Sequence, residues 1–275
     1  MEYVLAVVMG LVEGLTEYIP VSSTGHLILA GNLLGFAGHL GEGEVGEKIA
    51  STFEVFIQLG AIVAVVVAYP RKFVGLLNFS DNRGFSGLRG IGLLLLTTVP
   101  AGLFGLATHD FIKENLFRPW TVALGLAVGG IWIILLERFP PRVRTDGVDA
   151  VSWKEALAVG LFQCLAMLPP GMSRSASTIL GGMMVGLSRK TAAEYSFFAA
   201  VPILFAAGLY DLYKNLHILQ PAHVPVFAIG FLVSFLSAWV TVKLLLRFLS
   251  SHTLAPFGWY RLALAVVIFW VLWRQ

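Results

Sequence analysis

Two short runs of this sequence hold the side chains equipped for chemistry. The first reads Glu13-Gly-Leu-Thr-Glu17-Tyr-Ile-Pro20-Val-Ser22-Ser23-Thr24-Gly25-His26. Glu13 and Glu17 are four apart, so a helix puts both on one face. Two carboxylates in an apolar run are costly unless a cation or a proton accompanies them. Hard divalent cations such as Mg²⁺ or Ca²⁺ take carboxylate and phosphate oxygens, which makes Glu13 and Glu17 the candidate metal ligands. The plainer alternative is a helix-end pair reaching for water. After Pro20, the hydroxyls of Ser22, Ser23 and Thr24 fit the N-cap of a following helix. A helix start also offers free amides and partial positive charge to an anion. His26 lies three after Ser23 and shares its face, so the pair could be a nucleophile and its base. Caps and a structural histidine are the bland reading of the same residues.

The second run is Pro169-Pro170-Gly171-Met172-Ser173-Arg174-Ser175-Ala176-Ser177-Thr178. It is a glycine turn leading into a hydroxyl-rich helix start. Gly171, Ser173, Ser175 and Thr178 are candidate anion contacts alongside Ser22 and Thr24. Arg174 suits bidentate phosphate recognition. Its bland role is to neutralise Glu13 or Glu17.

What must position these runs is a membrane fold. Hydrophobic residues make up 57% of the 275 and charged residues only 13%, against about 45–50% and about 25% in soluble domains. Nothing in this composition points to a nucleic-acid partner. Cys164 is the only cysteine and cannot form an internal disulfide. Met1-Glu2-Tyr3 lacks the basic start of a signal peptide, so the first apolar stretch is expected to be retained. Six stretches, about 54–70, 90–108, 119–137, 194–213, 224–245 and 256–274, are apolar enough to span. The two chemical runs interrupt two further apolar stretches, Val4–Phe36 and Ala156–Leu187. Neither arm of either stretch spans about 30 Å, so both are expected as re-entrant helical hairpins.

The broken stretches match one another at an offset of 150, pairing Gly10 with Gly160, Pro20 with Pro170, Ser23 with Ser173 and Gly31 with Gly181. The sequence therefore predicts one all-α integral membrane domain over 1–275, with repeat halves of about 1–140 and 150–275. Three spans per half turn the second half upside down, an inverted-topology repeat whose site lies near the midplane. Thirteen Lys and Arg, Arg261 among them, fall on the side away from the termini. Five fall with the termini: Lys48, Lys113, Arg118, Lys214 and Arg274. The positive-inside rule then puts both termini outside, with Gly38–Ser51 as a solvated external loop. Gly31-xxx-Gly35 and Gly125-xxx-Gly129 are helix-packing spacings.

At the two runs the chain resembles the undecaprenyl-diphosphatase family, also called bacitracin-resistance proteins. That family's Glu-xxx-Glu followed by Pro-Val-Ser-Ser-Thr-Gly-His stands complete from Glu13 to His26. Its Pro-Gly-x-Ser-Arg-Ser-Gly-x-Thr reads here from Pro170 to Thr178, with Ala176 at the usual glycine. Thr52–Gly60 and Glu194–Pro202 also look like the family. The resemblance implies hydrolysis of undecaprenyl diphosphate to undecaprenyl phosphate and phosphate at the outer side of the bacterial cytoplasmic membrane. It implies recycling of the cell-wall lipid carrier, bacitracin resistance and a divalent metal. By the same resemblance, Glu13, Glu17, Ser23, His26 and Arg174 are the principal positions. Ser23 is the expected nucleophile and His26 its proton acceptor, with metal-activated water as the rival. A polyprenyl-phosphate flippase or ion-coupled transporter is the alternative that broken midplane helices allow. Sequence leaves the oligomeric state open, a homodimer included.

Overall fold

A computed structural model of the chain describes residues 1–111 and 119–273. Its regular elements are helical, apart from one isolated bridge between Thr145 and Leu187. The first half runs α1 (Glu2–Thr16), α2 (Ser23–Leu34), α3 (Phe36–Leu40), α4 (Gly43–Ala68), α5 (Pro70–Leu76), α6 (Gly87–Phe111) and α7 (Pro119–Arg138). The second runs α8 (Trp153–Cys164), α9 (Arg174–Met184), α10 (Arg189–Asn215), α11 (Val224–Leu249) and α12 (Ala255–Trp273). Among the described residues, five helices are long and apolar enough to cross a membrane: α4, α6, α7, α10 and α11. The expected span 256–274 becomes α12, whose apolar stretch Ala255–Trp270 is shorter than those five. The chain is thus an all-helical membrane protein.

Both broken stretches fold as pairs of short helices. These have 15 and 12 residues in α1 and α2, and 12 and 11 in α8 and α9. At 1.5 Å per residue they rise roughly 16–22 Å. The first pair is interrupted by Pro20 and the second by Pro169-Pro170, and each by a serine at positive φ, Ser22 (71°) and Ser173 (76°).

Two expectations need correction. Gly38–Ser51 is not a loop: α3 and the first turns of α4 occupy it. Gly46, Ile49, Ala50 and Phe53 are buried while Glu44, Glu47 and Lys48 face outward. This is the amphipathic spacing of a helix, which the glycine and glutamate content concealed. Arg261 stands near the start of α12, where the last span was expected, but it is completely buried and is no orienting surface charge, so the expected count of thirteen falls to twelve. Lys113, Arg118 and Arg274, counted on the opposite side, lie outside the described residues.

The chain divides into two compact units. One comprises Met1–Tyr18, His26–Ala68 and Ala200–Lys243. Its core joins Leu5, Met9, Leu27, Phe36, Phe53, Ile57 and Phe227. Phe53 meets Phe36 and Phe227 edge-on at centroid distances of 4.9 and 5.3 Å. Within it α1 lies close against α11: a Cβ on Gly10 would stand 2.6 Å from the Gly230 carbonyl oxygen.

The other unit comprises Ile19–Gly25, Tyr69–Ala199 and Leu244–Gln275. Here α8 lies against α6 in the same way, with a Cβ on Gly160 falling 2.6 Å from the Leu96 carbonyl oxygen. The segments between its helices are tied by charge. Lys72 pairs with Asp149 at 2.5 Å, and Arg189 grips Glu137 through Nε and Nη2 at 2.5–3.0 Å. Hydrogen bonds from Ser188 and Thr191 hold the Asp146 carboxyl below the usual range.

Candidate active site

The carboxylates of the first run stand at the end of α1. Glu17 caps the helix, its N–H donating to the Glu13 carbonyl at 2.9 Å. One turn therefore separates the two side chains. Glu13 is fully buried and Glu17 is 6% exposed. The helix can place them so because its neighbouring face is bare. A Cβ on Gly14 would lie 2.0 Å from Ser237 Oγ and 2.4 Å from the Ser234 carbonyl oxygen, both on α11. The Ser237 hydroxyl donates to the Gly10 carbonyl at 3.4 Å. One residue on, the buried Tyr18 hydroxyl donates to the Ala61 carbonyl at 2.9 Å, pinning the end of α1 to α4.

Does this pair fit a metal? Among the described residues, no cluster of three or more His, Cys, Asp or Glu side chains is assembled. Two carboxylates one turn apart are a short ligand set. Such a set suits a hard cation whose remaining positions are filled by water and substrate phosphate. The donor chemistry fits Mg²⁺ or Ca²⁺ in that mode.

The hydroxyls follow across the turn. Ser22 is the N-cap of α2, its Oγ accepting from the Gly25 N–H at 3.3 Å. Ser173 does the same for α9, accepting from the Ala176 N–H at 3.3 Å. Ser22 thus corresponds to Ser173, and the sequence pairing of Ser23 with Ser173 is off by one residue. With Pro20 paired to Pro170, the extra residue falls after the proline, in Gly171-Met172, where the first run has only Val21. Ser23 is the first residue of α2, buried, with Thr24 and His26 more open along the same helix. Ala176 lies within α9, where a helical backbone needs no glycine.

In the second run each candidate has a distinct place. Gly171 takes φ of +92°, and a Cβ there would meet the Val122 carbonyl oxygen of α7 at 2.3 Å. Only glycine meets both demands. Ser173 and Arg174 are half-buried, whereas Ser175 and Thr178 are buried. Ser175 Oγ donates to the Ile19 carbonyl at 3.1 Å, joining the second turn to the first. Arg174 Nη1 donates to the Ser196 carbonyl at 3.0 Å and to its Oγ at 3.3 Å. Thr178 stands 2.6 Å from Ser196 Oγ and also bonds the Arg174 carbonyl at 2.9 Å. Thr178 is therefore committed to supporting Ser196 beneath Arg174.

The turns Ile19–Gly25 and Pro169–Ser173 thus belong to one unit, which holds Ser22, Ser23 and Thr24 as well as Gly171, Ser173, Arg174 and Ser175. Glu13, Glu17 and His26 belong to the other. Hydroxyl caps, paired carboxylates, an imidazole and a braced guanidinium are the groups of phosphoryl transfer. The profile of a family described as bacitracin resistance protein BacA matches residues 6–267.

The chain belongs to this family. A relative from Nitratidesulfovibrio vulgaris strain DP4 is 54% identical over 269 residues, 98% of either chain. One from Maridesulfovibrio salexigens is 54% identical over 267 residues, covering 96% of this chain and 97% of the relative. One from Aromatoleum aromaticum is 45% identical over 266 residues, covering 97% and 93%. All three carry the name undecaprenyl-diphosphatase.

Sequence reasoning overlooked three parts of the unit that holds the two turns in this BacA-family chain. Ser196 braces Arg174; it lies in the family-like stretch Glu194–Pro202, but nothing in that stretch points it at Arg174. Gly129 does receive a neighbouring helix, through Arg261 of α12, whereas Gly125 receives the turn before α9 instead. A Cβ on Gly125 would lie 2.3 Å from the Pro170 carbonyl oxygen, and one on Gly129 would lie 2.2 Å from Arg261 Nη2. Arg261 itself carries a detectable signal, a lone charge inside an apolar span.

Proposed function

We propose that this chain removes the terminal phosphate of undecaprenyl diphosphate, giving undecaprenyl phosphate and inorganic phosphate. The observation that carries the reading is the match, along nearly the whole chain, to relatives named for that reaction. The site chemistry supports it. Ser23 Oγ bonds to the terminal phosphorus as the bridging P–O bond breaks, and undecaprenyl phosphate leaves. The serine proton passes to His26. Water then cleaves the phosphoserine, releasing phosphate and restoring Ser23. Arg174, held by Ser196, neutralises phosphoryl oxygens, and the starts of α2 and α9 offer amides to the same charge. Glu13 and Glu17 would hold a divalent cation, which when bound would supply positive charge against the diphosphate.

The same reading places the reaction at the outer side of the cytoplasmic membrane, in service of carrier-lipid recycling and bacitracin resistance. The short helix pairs are then re-entrant hairpins, set in two oppositely oriented halves. The test is phosphate release from undecaprenyl diphosphate by purified protein in detergent. Chelation should abolish release and Mg²⁺ or Ca²⁺ restore it. Glu13→Gln and Glu17→Gln should each cost about 100-fold or more in turnover and raise the metal requirement. Near-normal turnover in both variants would make the carboxylates mere helix-end groups. No turnover with any divalent metal, alongside lipid movement in vesicles, would favour a transporter.

A further inference from the structure

One buried charge has no part in the chemistry just described. We propose that Arg261 is the positioning residue of the phosphoryl-transfer site, fixing the turn Ile19–Gly25 against the turn Pro169–Ser173. What the site does rests on the reading under Proposed function; what holds it rests on contacts alone. Arg261 Nη1 donates to the Pro20 carbonyl at 3.1 Å. Nη2 donates to the carbonyls of Gly171 at 3.0 Å and Met172 at 2.9 Å. The same nitrogen reaches Gly125 O at 3.0 Å, and Nε reaches Leu126 O at 3.2 Å. One planar group therefore ties both motif turns to each other and to α7.

The residue type follows from the task. A guanidinium spreads five N–H donors over a rigid fork, whereas an ammonium gathers three at a point. Every acceptor is a main-chain carbonyl, and among the described residues no carboxylate pairs with Arg261. A buried charge without a counter-ion is expensive, and simple packing would be served by a neutral side chain. The grip also has a direction. A trans peptide sets N–H opposite C=O, so drawing the Met172 carbonyl toward Arg261 turns the Ser173 amide to the other side. The positive charge itself lies behind both turns, where it favours an anion bound in front. Room for the fork depends on Gly129, whose missing Cβ would overlap Nη2.

The experiment uses full-length protein in detergent, with Arg261→Met, Arg261→Lys and Gly129→Ala. Three quantities are read: kcat and KM for phosphate release, thermal unfolding, and amide hydrogen exchange in peptides covering 19–25 and 169–178. In Arg261→Met, kcat should fall about 100-fold or more while KM stays within about threefold, because the turns are misplaced and the lipid contacts are not. Exchange should quicken in both turns and not in α4. Gly129→Ala should show the same pattern at about tenfold, and Arg261→Lys should fall between. A merely structural arginine would lower the folded fraction and leave kcat per folded molecule and turn exchange unchanged. That result, in any variant that folds, overturns the proposal. Should Arg261→Met fail to fold, Gly129→Ala and Arg261→Lys decide by the same readouts. If the wild type releases no phosphate, the proposed reaction fails. Turn exchange then decides the clamp alone: faster exchange supports it and unchanged exchange overturns it.

Discussion

Ser22 and Ser23 are adjacent, share a side chain and have different employment. Ser22 spends its Oγ on the Gly25 amide and takes a φ of 71° that suits glycine. Losing that cap should cost about 1 kcal/mol in Ser22→Ala and only a few tenths in Ser22→Gly. Both should keep most of their turnover. Ser23→Ala should instead abolish turnover while diphosphate binding persists through Arg174 and the helix amides. A phosphorylated Ser23 should be trappable by acid quench. If Ser23→Ala retains about a tenth of normal activity, water becomes the nucleophile and Ser23 a phosphate contact. Sequence named both serines as site residues, because hydroxyls after a proline and before a histidine are visible in one dimension. It could not distinguish cap from nucleophile, since that depends on which Oγ faces the Gly25 N–H. Nor could it assign Ser196 a role, because its place in the family-like stretch Glu194–Pro202 does not reveal that it reaches Arg174 from another helix.

At the scale of elements, the turn before α9 is built by exclusion. Gly171 combines a positive φ with a carbonyl that a methyl group would strike. Gly171→Ala should therefore lower the thermal midpoint by the equivalent of about 1–3 kcal/mol and reduce turnover with it. Gly102 in α6 is the contrast: its Cβ would meet nothing within 4 Å. Gly102→Ala should leave turnover intact and match or exceed wild-type stability, since alanine gains up to about 1 kcal/mol in a helix. A melting comparison of the two variants checks both expectations. Five long apolar helices and two broken pairs were legible because proline, serine and charge interrupt hydrophobic runs visibly. The early start of α4 was not, because Glu44, Glu47 and Lys48 on its open face resemble a loop until their spacing from Ile49 and Phe53 is considered.

For the molecule as a whole, orientation is the open quantity. On the expected topology, twelve of the nineteen Lys and Arg still fall on one side after Arg261 is removed from the count. Much of that set also builds structure, as Lys72 on Asp149 and Arg189 on Glu137 demonstrate. A cysteine at the exposed His39 should react with an impermeant reagent added outside cells, and one at the exposed Asn82 should not. The background is Cys164→Ser, which removes the single native thiol. Labelling at Asn82 from outside would reverse the orientation and move the reaction to the other leaflet. Matched glycines and prolines suggested the repeat, and the two broken helix pairs with their serine caps are the part of it the structure shows. Sequence missed the one-residue shift at the caps because Ser22 and Ser23 are both serine, and Gly181 and Gly182 both glycine, so either offset pairs like with like.

The grip of Arg261 has a consequence for how such a chain can drift over generations. All five of its acceptors are carbonyl oxygens, which every amino acid supplies. Leu126 and Met172 can exchange for other apolar residues without loosening it, and no compensating change is called for elsewhere. A contact of this kind leaves no correlated pair in the history of a lineage. It appears there only as an arginine that stays put while its partners wander.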